Sequence, residues 1–87
     1  MLFMVIERFK DGDPQPIGAR FKSEGRKLPD RVVYHASWVD AARMRCFQIM
    51  EAPSPELLDA WIGCWNDLVD FEVVPMLTSA DFWSNLE

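Results

Sequence analysis

The sequence predicts an α+β domain with element order β-α-β-β-α-β, and three observations carry that prediction. Four runs rich in Val, Ile, Phe, Tyr, Trp and Met have the length and bounding turns of strands. Two intervening segments set apolar residues at helical spacing behind proline-bearing starts. At 87 residues and 49% apolar content the chain suits a single domain over 1–87 with a thin core.

The first strand runs from Leu2 to Phe9 and is apolar on both faces near its start. Lys10-Asp11-Gly12-Asp13 is turn chemistry, and Asp13 can cap a helix whose first turn holds Pro14 and Pro16. Ile17 and Phe21 stand four apart and Leu28 extends the stripe, so a helix from Pro14 to Arg26 follows, weakened by Gly18 and Gly25. Leu28-Pro29-Asp30 breaks it. Val32 to Val39 and Met44 to Met50 are the second and third strands, joined by a hairpin turn at Asp40-Ala41-Ala42-Arg43. Ser54-Pro55-Glu56 is the clearest helix start: a capping serine, proline at the first position and a carboxylate at the positive dipole end. Leu57, Trp61, Cys64, Trp65 and Leu68 then form a wide apolar stripe. The fourth strand, Val69 to Leu77, contains Pro75 and so belongs at a sheet edge. Thr78-Ser79 can cap a last short helical turn carrying Phe82 and Trp83.

This order is the ferredoxin-like split βαβ pattern. It predicts a four-stranded antiparallel sheet in the order 4-1-3-2 with both helices on one face. The other face is then bare, and bare apolar surface calls for a cover, most simply the same face of a second subunit.

Composition narrows the partners. A net charge of −5 argues against nucleic acid, whose phosphates need a basic stripe, and against anionic membrane surfaces. No apolar run reaches the length of a membrane span. The opening Met1-Leu2-Phe3-Met4-Val5-Ile6 lacks a basic leader and reads as strand. Cys46 and Cys64, each inside an apolar pattern, read as free thiols in a reducing compartment, which implies a cytoplasmic address.

If Ala41-Ala42 is the turn, Val39, Met44, Ser37, Cys46, His35 and Gln48 share one face of the hairpin. Tyr34, Ala36, Trp38, Arg45, Phe47 and Ile49 share the other. The second set is the more apolar, so it is expected beneath the helices together with Phe71 and Val73. His35, Ser37, Gln48 and Glu72 then line the open face.

Met1-Leu2-Phe3-Met4-Val5-Ile6-Glu7-Arg8-Phe9, the strand through Trp38, and the stretch Trp65-Asn66-Asp67-Leu68-Val69-Asp70-Phe71-Glu72-Val73-Val74-Pro75 together resemble a family of short bacterial domains of unknown function. That family is similar to the dimeric α+β barrel group. The resemblance spans nearly the whole chain and implies a homodimer with two sheets face to face. It implies no activity. Cofactorless monooxygenases, muconolactone isomerase-like enzymes and haem-binding proteins are better-known members of the wider group, and none of their catalytic motifs maps onto positions in this chain.

His35, the only histidine, is a candidate proton shuttle with Glu72 as partner. On opposite edge strands they stand roughly 14 Å apart at about 4.8 Å per strand, so only a face-to-face dimer can join them. A histidine in such a place is more often an interface or surface residue. Glu7, Glu51, Asp70 and Glu72 are the strand carboxylates, for which salt bridges with Arg8, Arg43 or Arg45 are the plainer role. Trp38, Trp61 and Trp65, with Tyr34 and Phe47, can line an apolar ligand pocket, although tryptophans at helical spacing more often fill a core. The methionines Met4, Met44, Met50 and Met76 read as gap-fillers or dimer-face residues.

There is no zinc spacing, no Gly-rich phosphate loop and no nucleophile elbow, and His35 is the only obvious haem ligand, so no cofactor is expected. The leading expectation is a homodimeric domain, non-catalytic or of uncharacterised activity, for which a small hydrophobic molecule is the candidate ligand. A cofactorless monooxygenase or isomerase comes second, and a protein-interaction subunit acting through an open strand edge third.

Overall fold

A computed structural model describes residues 1–86. β1 (Leu2–Phe9) opens the chain where the apolar run begins. A tight turn over Lys10–Gly12, with Asp11 and Gly12 at positive φ, leads into α1 (Gln15–Glu24). Asp13 Oδ1 accepts from the Gln15 N–H at 3.0 Å, satisfying one donor of the first turn. Gly25 closes α1 at φ 73°, a conformation that favours glycine, with its N–H on the Phe21 carbonyl at 2.8 Å. β2 (Val33–Val39), β3 (Arg45–Glu51), α2 (Pro55–Ile62), β4 (Val69–Met76) and α3 (Ser79–Ser84) follow. Thr78 caps α3 by accepting from the Asp81 N–H at 3.0 Å. Ser54 stands at the start of α2 without the side-chain bond expected of it.

The four strands pair antiparallel in the order β2-β3-β1-β4, the predicted arrangement seen from its other edge. Pro75 lies in β4, an edge strand, where its missing N–H is tolerated. Phe3, Val5, Met50 and Val69 rise from one sheet face into Leu58, Trp61 and Trp65, and Ile17 of α1 packs at the margin of the same cluster. Both longer helices therefore cover a single face. The α+β architecture, with its four-stranded antiparallel sheet and three α-helices, is compatible with a ferredoxin-like fold.

The hairpin departs from expectation in three ways. Its register pairs Val39 with Cys46 and Ser37 with Gln48, two residues beyond the predicted pairing. Asp40 causes the longer turn: Oδ1 accepts the N–H groups of Met44 and Arg45 at 2.9 and 3.2 Å, and Oδ2 accepts from Arg45 Nε at 3.0 Å. An irregularity between Tyr34 and Ala36 then sets Tyr34 opposite Met50, on the helix side. Finally, the faces are reversed. Gln48, Cys46, Ser37 and Val39 lie beneath the helices, whereas Trp38, Phe47 and Ile49 are on the open face. Pairing dictates this: Phe3 opposes Met50 and Val5 opposes Gln48, so burying Phe3 and Val5 carries the even-numbered residues of β3 inward. Phe71 and Val73 do lie under the helices, opposite Glu7 and Val5.

Candidate functional site

Between the sheet and α1 lies a cavity of about 340 Å³. Its sheet wall is Glu7 and Phe9 from β1, Ser37 and Val39 from β2, and Cys46 and Gln48 from β3. Pro14, Ile17, Gly18 and Phe21 form the α1 wall, and Arg26 with the indoles of Trp61 and Trp65 completes the lining. The volume suits a small organic molecule, and a mostly apolar lining with a few convergent polar groups is typical of ligand pockets.

The polar groups form a chain. Gln48 donates from Nε2 to Glu7 Oε1 and accepts at Oε1 from Arg26 Nη1 at 2.9 Å. Glu7 and Gln48 are only 7% and 4% exposed, so both partners of that amide are needed to satisfy it. Arg26 is pinned at both ends. Its carbonyl accepts from Trp61 Nε1 at 3.0 Å and Trp65 Nε1 at 3.1 Å, and its guanidinium lies 3.7 Å from the centroid of Tyr34. The Tyr34 hydroxyl in turn lies 2.7 Å from Ser37 Oγ.

Burial pushes the Glu7 carboxyl above the ordinary glutamate range, against the opposing pull of its hydrogen bonds from Gln48 and Cys46 and the charge of Arg26. The Cys46 thiol is pushed up to about 12, by burial first and then by neighbouring Glu7. Cys46 is thus a protonated thiol rather than a nucleophile. Glu7, by contrast, is a carboxyl able to hold or release a proton in an apolar surround, the property required of an acid–base group.

Of the sequence-predicted site residues, Trp61 and Trp65 line the cavity, and Tyr34 borders it by stacking on Arg26. Trp38 lies on the opposite sheet face and is 60% exposed. His35 Nε2 lies at hydrogen-bond distance, 2.8 Å, from Glu51 Oε1, and Glu72 Oε1 lies 3.5 Å from Arg8 Nη1 in an ion pair; both contacts are half-exposed. β3 and β1 separate His35 from Glu72, and within one chain the fold does not bring them together. The sequence alone assigns Glu7 a solvated or salt-bridged role, puts Gln48 on the open face and shows Arg26 only as a helix end. The available signal was a single polar residue interrupting an apolar face: Glu7 after Phe3 and Val5, and Gln48 beside Met50.

Both cysteines are free. Among the described residues no three of His, Cys, Asp and Glu gather as metal ligands, and no helix is long and apolar enough to cross a membrane.

These features define an α+β protein with a mostly apolar cavity, carrying a short polar chain in its wall, beneath its first helix. Over residues 1–87 the chain matches a family described as "Domain of unknown function (DUF3303)", and it belongs to that family. No curated protein and no solved structure matches it.

Proposed function

We propose that this domain binds a small, largely apolar molecule in the cavity beneath α1, as a homodimer of ferredoxin-like subunits arranged as a dimeric α+β barrel. The observation that carries the reading is the buried Glu7–Gln48–Arg26 chain in the wall of an otherwise apolar cavity. A fold gains nothing from such a chain in a dry core, where apolar residues of equal volume serve as well or better. Gly18 supports it further. A side chain there would meet nothing within 4 Å, so the helix accepts a poor helix former at a position facing open space.

The test is to fill that space. Gly18→Leu should fold normally and lose binding of the neutral fluorophore N-phenylnaphthylamine, which the wild-type protein should take up. Undiminished uptake by the variant would place the probe elsewhere and overturn the proposal.

The homodimer is supported by the open sheet face, which Met4, Ile6, Phe47, Ile49 and Val74 share with exposed Trp38. Light scattering should give twice the chain mass of 10.1 kDa. Trp38→Glu should return it to the monomer value; a wild-type monomer at micromolar concentration would refute the pairing. A cofactorless isomerase or monooxygenase is the second reading, favoured by the raised proton affinity of Glu7 at the cavity wall. Turnover of any substrate identified should then vanish in Glu7→Gln while binding persists.

A further inference from the structure

Arg26 differs from the other arginines that are held in place. Arg8, Arg20 and Arg45 each have a carboxylate within ion-pair distance, on Glu72, Asp67 and Asp40. Among the described residues no carboxylate lies within that distance of Arg26, and its side chain makes one hydrogen bond, to Gln48 Oε1. A guanidinium has five N–H donors. The backbone of Arg26 is fixed by two indoles and its plane by Tyr34, so its remaining donors are held rather than free to wander into solvent.

Gln48 explains why Glu7 does not take those donors. Its amide stands between the two, donating its N–H to Glu7 and accepting at its oxygen from Arg26. A direct Glu7–Arg26 pair would neutralise the cavity, whereas the interposed amide leaves a cation facing an apolar space with its fork uncommitted. Arginine rather than lysine suits this position, because a planar fork meets a carboxylate at two points and stacks on an aromatic ring.

We propose that the ligand is a small organic acid, its carboxylate seated on Arg26 and its aromatic or branched aliphatic body against Phe9, Ile17 and Trp61; this rests on the pocket reading above. Burial raises the proton affinity of Glu7, which lessens its repulsion of the anion.

A matched pair of probes tests it: naphthoate and its neutral isostere naphthamide, titrated by calorimetry against the wild-type protein, Arg26→Met and Gly18→Leu. The wild type should bind naphthoate at least about tenfold more tightly than naphthamide, the scale of one charge-assisted pair. Arg26→Met should erase the preference while retaining naphthamide binding, and Gly18→Leu should weaken both. If Arg26→Met fails to fold, the wild type alone decides, since added salt should weaken naphthoate and leave naphthamide unchanged. Equal, salt-independent binding of both probes would overturn the organic acid and leave the pocket standing. Failure of both probes to bind, or binding that ignores Gly18→Leu, would overturn the pocket and the acid with it.

Discussion

The two longer helices cover one sheet face in different ways. α2 buries Leu58 and Trp61 to 1% exposure each, while α1 has no buried residue. α2 is core. α1 is a cover, set over the sheet by a few tethers: Ile17 at the core margin, Arg20 in a two-point pair with Asp67 at 2.8 Å and on the Cys64 carbonyl at 3.0 Å, and the Arg26 carbonyl under two indoles. The lesson is that apolar stripes alone do not say how closely a helix sits. Where the sheet beneath it carries Glu7 and Gln48 in place of apolar residues, the helix stands off and leaves a cavity.

The sharpest way to break this contrast is to delete one anchor from each helix. Trp61→Ala should cost about 3–5 kcal/mol, most of the stability of so small a domain, and Ile17→Ala about 1 kcal/mol. Urea denaturation reads both, and equal losses would end the distinction between core and cover.

Next comes Glu7→Gln, which separates the cavity wall from the core. Glu7 binds its proton more tightly in the folded than in the unfolded state, so its ionisation costs the fold nothing below the ordinary glutamate range. The cost grows as pH rises through the elevated folded value. The variant should therefore melt above the wild type at neutral and alkaline pH, and the gap should close in acid. A constant gap across pH would show that burial of the charge is not the cause.

Gly18→Ala should stabilise α1 by about 0.5–1 kcal/mol through helix propensity, since the added methyl meets only open space. A loss of stability would mean that the space beside α1 is filled. The smallest effect belongs to Arg20→Met. It should speed amide hydrogen exchange in α1 and leave α2 unchanged, because Arg20 ties the cover rather than the core. Arg20 holds Asp67 at about 2, so the tether is complete above the ordinary aspartate range and lost as pH falls towards that value. Wild-type exchange in α1 should accelerate in the same acid window.

How much of this was legible depends on the kind of signal. β1 is bounded by residues that end an apolar run, and its predicted limits hold. The strand order follows from element order and connection rules, and it too holds. The apolar stripe of α2 runs on to Leu68, yet the helix stops at Ile62. Gly63 weakens helix continuation there, and Cys64, Trp65 and Leu68 donate to carbonyls three residues back in a tightened turn. Trp65 still reaches the core, so its burial was legible while its backbone was not. The reversed faces of the hairpin have a different origin. Counting apolar residues favours Trp38, Phe47 and Ile49 for the interior, but the interior side carries Gln48, Cys46 and Ser37 because a cavity is built there. A rule that assumes a dry core fails at the place where a cavity interrupts that core.

The borders of the sheet carry a consequence for self-association. On one flank the β2 ladder is broken between Tyr34 and Ala36, and on the other β4 holds Pro75, which lacks an amide hydrogen. Neither flank offers a long straight row of free backbone donors and acceptors, so a neighbouring chain cannot extend the sheet sideways without a fault. Polymerisation into fibres by strand addition is discouraged at both rims.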